Sequence, residues 1–265
     1  MLTRPQPPGT DPGTSTGALT RPATAPSPRS PSRPAVHLPY DAPLVMFRPT
    51  ADVLRFIGSV TLAPYEQQRA ARLPVGPHED YLAAHILVRL CAARLTGVPP
   101  ATLVLGQLCG DCGGEDHGRP FLRGRPGIQV SLSHARGAVA AAAGPGPVGV
   151  DVEDVATAAF DPRVAARVLA PAELAAVRAD PDPERAFLRL WVRKEALVKV
   201  GVATLGRLRE LDLTAPGALP GWRFLEWNSP DGGVTAAAVA RTTPAADGAH
   251  DLSPSRFPYQ GEQQT

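Results

Sequence analysis

The sequence is short of lysine, of aromatic residues and of long hydrophobic runs. The chain contains two lysines, Lys194 and Lys199, although lysine and arginine together number 27 of the 265 residues. Aromatic residues make up 5%, so the core has to be built mainly from alanine, valine and leucine. No apolar run approaches the roughly 20 residues that a membrane-spanning helix needs. We therefore expect a protein that is not held in a membrane by a helix.

Cysteine and net charge are also limited. The three cysteines, Cys91, Cys109 and Cys112, are too few to predict a disulfide framework. The formal net charge is only +2, and no dense basic patch with interleaved aromatic residues is present, so nucleic-acid binding is not indicated. Together these features predict a soluble, cytoplasmic protein that binds neither nucleic acid nor a membrane.

Hydrophobic periodicity is confined to the middle of the chain. Residues 1–35 are rich in Pro, Ser, Thr, Ala and Gly, and the residues after about 242 are polar, so both ends are predicted to be disordered. Helices are predicted over 63–72, 79–95, 161–168, 171–178 and 186–200. Strands or extended segments are predicted over 42–47, 53–62, 128–134, 138–143, 147–154, 205–213, 222–227 and 234–240.

The predicted strand over 147–154 carries two carboxylates on one face. Its valines alternate with Gly149, Asp151 and Glu153, so the valines are expected to face a core. Carboxylates two residues apart on a strand can converge on one Mg²⁺ ion, which also accepts phosphate oxygens. A small residue at Gly149 lets a ligand or another backbone come close. The alternative is an exposed acidic strand end.

The helix over 186–200 supplies a second group of charges. Trp191, Glu195 and Lys199 are spaced four residues apart and share one face. Alone, Glu195 and Lys199 would be an ordinary surface ion pair worth about 0.2–0.5 kcal/mol. Combined with the acidic strand, they predict a metal-and-phosphate site in which Lys199 is a point charge and Glu195 a metal ligand or general base.

The remaining candidate group is Cys109, Cys112 and His117. A Cys-x2-Cys pair followed by a histidine offers three ligands for a zinc ion. The fourth ligand is not evident from the sequence, where Asp111, Asp116 or His134 would have to serve. A reduced turn without metal remains the alternative. Cys91 lies on the apolar face of a predicted helix and is expected to be a buried small hydrophobe.

Four segments resemble motifs of the surfactin-type (Sfp-type) 4′-phosphopantetheinyl transferases. In chain order they are Gly118-Arg119-Pro120, Ser133-His134, the Gly-x-Asp-x-Glu strand from Gly149 to Glu153, and the Trp-x-x-Lys-Glu-Ala-x-x-Lys helix from Trp191 to Lys199. Each motif alone is a weak signal, but their joint order is specific. The resemblance covers roughly residues 45 to 240.

The resemblance implies an α+β fold of two similar halves, related by a pseudo-twofold axis. Each half would hold an antiparallel sheet and a long helix, with coenzyme A in the cleft between the halves. The chain would then divide into an N-terminal tail (residues 1–35), a first half (36–147), a second half (148–242) and a C-terminal tail (243–265). A monomer is expected.

The resemblance also implies the reaction and the role of each residue. The enzyme would move the 4′-phosphopantetheine arm of coenzyme A to a serine of an apo acyl- or peptidyl-carrier protein, releasing 3′,5′-ADP. Asp151, Glu153 and Glu195 would bind Mg²⁺, and Asp151, Glu195 and Lys199 would be catalytic. Arg119, Pro120, Ser133, His134 and Lys199 would bind coenzyme A. Trp191 is expected to pack and so fix its face of the helix toward the cleft, and Lys194, about 100° around the helix from Glu195, is expected at a cleft wall or in solvent. The sequence does not indicate whether the carrier protein belongs to fatty-acid, polyketide or nonribosomal-peptide synthesis.

Several positions depart from the family pattern. The family's asparagine before the Ser-His element is Ser131 here, the following serine is Ala135, and an arginine near the start of the first long helix is replaced by Asp80 or Tyr81. The side chains considered as substitutes for the missing phosphate contacts are Arg69, Arg72 and Arg89, with His78 and His85 as weaker candidates. Two other functions stay open: a non-catalytic module that binds coenzyme A or a carrier protein, and a zinc-dependent interaction protein.

Overall fold

The computed structural model describes residues 42–110, 112–115, 117–157, 160–215 and 217–241. The tails predicted to be disordered, 1–35 and 243–265, lie outside these described residues. Strands and helices within the ranges form two antiparallel sheets with helices packed against them. The predicted α+β class is therefore confirmed. None of the helices in the described ranges has the length and apolarity needed to cross a membrane.

The first sheet has five strands in the order β1-β5-β4-β3-β2, all antiparallel. The strands are β1 Leu44–Pro49, β2 Leu105–Leu108, β3 Arg119–Leu122, β4 Gln129–Ala135 and β5 Ala138–Gly144. The helices of this region are α1 Thr50–Leu54, α2 Pro64–Ala70 and α3 Val75–Thr96. The long helix α3 packs on β4 and β5, and its fully buried Ile86 and Leu95 join the core of this sheet.

The second sheet has three strands in the order β6-β8-β7, also antiparallel. The strands are β6 Val148–Asp154, β7 Trp222–Asn228 and β8 Val234–Arg241. The helices are α4 Pro162–Val168, α5 Pro171–Ala179 and α6 Pro183–Lys199. Helix α6 packs on β6 and β8, where Val239 of β8 joins Ala196 and Leu197 of the helix in one apolar cluster.

An apolar layer of small residues joins the two sheets. The valines of β6 pack with alanines of β5 and β8, as the period of two predicted. At one side of this layer, the rings of Phe47 and Trp227 stack with their centroids 5.4 Å apart. Because the facing side chains are mostly alanine and valine, β6 comes close to β4, and residues of the two strands meet directly.

Helices α2 and α5 begin with the same local sequence, Ala-Pro-x-Glu, and each places its glutamate in the interior. Glu66 of α2 and Glu173 of α5 both accept a hydrogen bond from the backbone three residues earlier, closing the first helical turn. Each glutamate then pairs with a cation of the following long helix, Arg89 in α3 and Lys194 in α6. All four side chains are fully buried.

Two predicted extended segments are wrong. Residues 53–62 contain the end of α1 and a 3-10 turn over Ile57–Ser59, and residues 205–213 contain a 3-10 helix over Leu205–Glu210. Short apolar runs do not distinguish a strand from a helical turn by periodicity. Helix α3 also begins at Val75 rather than at residue 79, because Gly76 and Pro77 lie in its first turn, where no backbone donor is needed.

Candidate active site

The site is built where strand β6 and helix α6 touch. A Cβ atom on Gly149 would lie 2.2 Å from the carbonyl oxygen of Ala196, so only glycine permits this approach. The expectation that a backbone or ligand comes close to Gly149 is thus met by a backbone. The contact sets α6 against the face of β6 that carries Asp151 and Glu153, and α6 carries Glu195 and Lys199.

Asp151 is the most enclosed acid of the site. Its Oδ1 accepts hydrogen bonds from Lys199 Nζ and from Ser133 Oγ, each at 2.8 Å, and 5% of the residue is exposed. Its Oδ2 is buried and has no hydrogen-bond partner among the described residues. A buried carboxylate oxygen without a donor is costly, so the arrangement favours a cation or a donor from a ligand at this position.

Lys199 is fixed by backbone as well as by Asp151. Its Nζ donates to the carbonyl oxygen of Val150 at 2.9 Å and lies 3.4 Å from that of Leu132. The ammonium group therefore sits between strands β4 and β6, with 28% of its side chain exposed. One positive charge is held at a fixed place beside the acids.

Glu153 and Glu195 are both pushed towards their protonated form. Burial, followed by the negative charge of Asp151, raises the pKa of each above the usual 4.5. Trp191 donates from Nε1 to Glu153 Oε1 at 2.9 Å, which opposes this shift for Glu153. Three carboxyl groups therefore crowd around the single ammonium group of Lys199, and a bound cation would relieve the repulsion among them.

The carboxylate oxygens of Asp151, Glu153 and Glu195 are not all in close contact with one another. Among the described residues, the only group of three His, Cys, Asp or Glu side chains with ligand atoms all within 4.8 Å of one another is Cys109, Cys112 and His117. Asp151, Glu153 and Glu195 therefore share a site at wider spacing. The predicted zinc ligands, in contrast, are brought together in the loop between β2 and β3.

Strand β4 adds the serines and the histidine of the second motif. Ser131 Oγ accepts the backbone N–H of Val150 at 3.1 Å, so the residue that replaces the family's asparagine links β4 to β6. Ser133 is buried against Asp151, whereas His134 is exposed and has its ring edge-on to Tyr81, with centroids 6.3 Å apart. His134 is therefore available to a ligand at the end of β4.

The cations considered for coenzyme A binding fall into two groups. Arg69, Arg72 and Arg119 are exposed, and Arg119 begins β3 opposite Leu108, followed by the half-buried Pro120. Arg89 is fully buried, where it binds Glu66 and the carbonyl oxygens of His85 and Leu103. The suggestion that Arg89 contacts phosphate is therefore wrong, because the side chain is fully buried and four of its five N–H groups donate inside the fold. His85 is buried in the same network.

Lys194 also differs from the prediction, which placed it at a cleft wall or in solvent. It is fully buried, and its Nζ binds Glu173 Oε2 at 2.7 Å and the carbonyl oxygens of Leu208 and Leu211 at 2.7 and 2.6 Å. The reason is that α6 is covered on this side by α5 and by the segment over 205–211. Lys194 therefore stabilises the fold and leaves Lys199 as the lysine of the site.

Three contacts of the site were not expected from the sequence. Ser133 was assigned to coenzyme A but bonds Asp151, and Trp191 was assigned to packing but donates to Glu153. Asp80 was noted only as a replacement, yet its Oδ1 accepts from Thr50 Oγ1 and from the Gly137 backbone, fixing the β4–β5 turn beside His134. The four-residue spacing of Trp191 and Glu195 was the only available signal, and it placed Trp191 on the correct face.

Comparison with known proteins agrees with this geometry. A family model described as "4′-phosphopantetheinyl transferase superfamily" matches residues 147–249, the part that contains β6 and α6. The chain is also 30% identical over 196 residues to the 4′-phosphopantetheinyl transferase HetI of Nostoc sp., an alignment that covers 69% of this chain and 80% of HetI. A relative at this identity and coverage, together with the strand and helix acids, shows that the chain belongs to the 4′-phosphopantetheinyl transferase superfamily.

Proposed function

We propose that this enzyme transfers the 4′-phosphopantetheine arm of coenzyme A to a serine hydroxyl of an apo acyl- or peptidyl-carrier protein. The products are the holo carrier protein and 3′,5′-ADP. The observation that carries the proposal is the placement of Asp151, Glu153, Glu195 and Lys199 on facing surfaces of β6 and α6 in a member of this superfamily. Phosphoryl transfer depends mainly on position and charge neutralisation, which such a cluster supplies.

Asp151, Glu153 and Glu195 are suited to hold a Mg²⁺ ion. The buried Oδ2 of Asp151 without a described partner and the raised pKa values of both glutamates fit a cation at this place. The wide spacing of the acids fits an ion that keeps waters and takes phosphate oxygens as further ligands. When bound, Mg²⁺ supplies neutralisation of the charge that develops on the pyrophosphate.

Lys199 and Ser133 keep Asp151 in one orientation through two hydrogen bonds to Oδ1. This leaves Oδ2 directed away from both donors. Lys199 also contributes a point charge on the phosphate side of the cluster, and its anchoring by Val150 means that little reorganisation is needed during reaction.

Glu195 is the proposed general base for the serine proton. Burial and the charge of Asp151 raise its pKa and so increase its affinity for a proton at the moment of transfer. Glu153 experiences the same field, but the Trp191 indole donates to it and holds it in place. Glu153 is thereby positioned as a metal ligand, whereas Glu195 is a metal ligand that would also accept the proton.

The 3′-phosphoadenosine end of coenzyme A is assigned to His134, Arg119 and Pro120, with the exposed Arg69 and Arg72 as further phosphate contacts. These residues lie in the first sheet, in α2 or just after it, whereas the acids lie on β6 and α6. In this proposal the protein is a monomer, and coenzyme A lies between its two halves, residues 36–147 and residues 148–242. The repeated Ala-Pro-x-Glu start of α2 and α5, each paired with a long helix, supports the two-half arrangement.

Intact-mass spectrometry tests the proposal. The protein is incubated with Mg²⁺, coenzyme A and a panel of apo carrier proteins of the fatty-acid, polyketide and nonribosomal-peptide types. We expect one phosphopantetheine to be added to at least one carrier, with loss of the reaction in a chelator. Glu195→Gln should abolish the addition, and Glu184→Gln, on the exposed first turn of the same helix, should not. Binding of coenzyme A without transfer to any carrier would instead indicate a binding module.

A further inference from the structure

We propose that Cys109, Cys112 and His117 bind a structural Zn²⁺ ion, and that this ion fixes the loop from which Arg119 emerges. The three residues lie in the connection between β2 and β3, on the sheet that does not carry the acidic cluster. The site is therefore separate from the proposed Mg²⁺ position. The part of the inference that concerns Arg119 rests on its proposed role in coenzyme A binding.

The three ligand atoms lie close together, and one pair has the separation found in a zinc site. One atom from each of the three residues lies within 4.8 Å of the others, and Cys112 Sγ is 3.4 Å from His117 Nε2. A tetrahedral zinc site with Zn–S of about 2.3 Å and Zn–N of about 2.0 Å places sulfur and nitrogen about 3.5 Å apart. The backbone N–H of Gly114 also points at Cys112 Sγ, at 3.4 Å, and such a donor stabilises a thiolate.

The backbone of the loop is folded to hold this arrangement. Cys109 N donates to Gly114 O at 2.9 Å, and Gly113 N donates to Cys109 O at 3.0 Å, which closes a tight turn around Cys112. Gly118 has φ +97°, and a Cβ there would lie 2.4 Å from the carbonyl oxygen of Leu108. Only glycine can bring the chain back this close, and His117 is thereby returned to Cys109.

The two thiolates and one imidazole fill three of the four tetrahedral positions of zinc and leave the fourth for a water molecule or a carboxylate oxygen. Exposure of Cys112 and His117 allows the ion to enter. The sequence spacing alone left a metal-free turn as the alternative. The convergence of the three ligand atoms favours the metal.

The position of the loop gives the ion a consequence for function. Arg119 follows Gly118 directly and pairs with Leu108, the residue before Cys109. An ion that joins Cys109 to His117 closes the hairpin immediately above this pair and limits the directions open to the Arg119 side chain. Loss of the ion should therefore weaken coenzyme A binding and leave the chemical step, which depends on β6 and α6, unchanged.

Metal content is the first measurement. Protein purified without chelator, with thiols kept reduced, should contain one zinc per chain by elemental mass spectrometry. Replacement by Co²⁺ should give the thiolate charge-transfer absorption of a tetrahedral cysteine site. Cys112→Ser should lose both signals, and Cys91→Ala, which removes a buried thiol elsewhere, should keep both. Zinc well below one per chain, no cobalt–thiolate band, or a Cys109–Cys112 disulfide in the freshly isolated protein would overturn the site.

Steady-state kinetics with a carrier protein is the second measurement. His117→Ala should raise KM for coenzyme A by about tenfold, the scale of lost supporting contacts, with kcat within twofold of the parent. An unchanged KM in a variant that has lost its zinc would overturn the link to Arg119. A chain that binds zinc but transfers nothing to any carrier would overturn the proposed function and leave the zinc site standing, so the two failures are distinct.

Discussion

Gly149 and Ala196 are in backbone contact across the strand–helix interface, with room for a hydrogen atom but not for a methyl group. This contact sets the distance between the acids of β6 and the acid and lysine of α6. The site geometry therefore depends on a residue that carries no functional group. The first prediction follows from it.

Gly149→Ala should lower both stability and activity. The new methyl would overlap the Ala196 carbonyl oxygen, and overpacking of this kind costs about 1–3 kcal/mol of unfolding free energy. Because α6 must move away from β6, kcat should fall further than stability alone explains. Urea unfolding and the carrier assay measure the two effects. Gly76→Ala, where an added Cβ meets nothing within 4 Å, is the control and should be neutral in both.

Trp191→Phe should reduce turnover without unfolding the protein. The phenyl ring preserves most of the packing against Phe187 but removes the hydrogen bond to Glu153. A lost bond of this type to a metal-ligating carboxylate typically costs about 10–100-fold in activity or metal affinity. We expect a rise in the Mg²⁺ concentration that gives half-maximal rate. Trp227→Phe alters a stacked tryptophan away from the acids, and an equal effect there would contradict the assignment.

Lys194→Met should be strongly destabilising. It leaves Glu173 as a buried carboxylate without its cation, a change that costs about 3–5 kcal/mol. The double variant Lys194→Met/Glu173→Gln should recover part of this loss, because the uncompensated charge is gone. Chemical denaturation of the parent, both single variants and the double variant measures the coupling. Additive losses in the double variant would show that the two residues do not act as a pair.

Glu66 should govern part of the acid sensitivity of the fold. Burial alone would raise its pKa, but the hydrogen bonds from His85 and Arg89 outweigh burial and lower the pKa to about 2. Since the pKa is depressed from 4.5 in the folded state, this contribution is present above pH 4.5 and is lost as the pH falls towards 2.

Measurement of unfolding free energy between pH 2 and 7 checks this dependence. In Glu66→Gln the protein should be less stable at neutral pH, and its difference from the parent should shrink through the acid range. Glu79→Gln, at an exposed position of α3, should keep the parent's pH profile. A constant difference between Glu66→Gln and the parent at all pH values would contradict the assigned charge.

The sequence could predict which functional side chains share a face, because this depends on the periodicity of one strand and one helix. The alternation of β6 placed Asp151 and Glu153 on one face, and the four-residue spacing of α6 placed Trp191, Glu195 and Lys199 on another. The order of the motifs then connected both faces to one family. These features depend on short stretches of chain, which a sequence displays directly.

The contacts of Ser133 and Lys194 were not predictable in the same way. Ser133 meets Asp151 only because the first sheet stacks on the second through small residues, and that stacking is a long-range outcome. Lys194 was expected at a cleft wall or in solvent, and its burial depends on α5 and the segment over 205–211, which pack over α6. The recurrence of Ala-Pro-x-Glu before each long helix was visible in the sequence and would have indicated a buried partner for Arg89 and for Lys194 alike.

The burial of Lys194 should allow selective chemical labelling of the other lysine. Of its two lysines one is sealed inside the fold, so amine-directed reagents should find a single reactive side chain, Lys199, in addition to the terminal amine. A fluorophore or mass tag coupled at alkaline pH, where lysine amines lose their proton and become nucleophilic, would then report from the phosphate side of the acidic cluster. Occupancy of the site could be followed as protection from the label, without any carrier protein present.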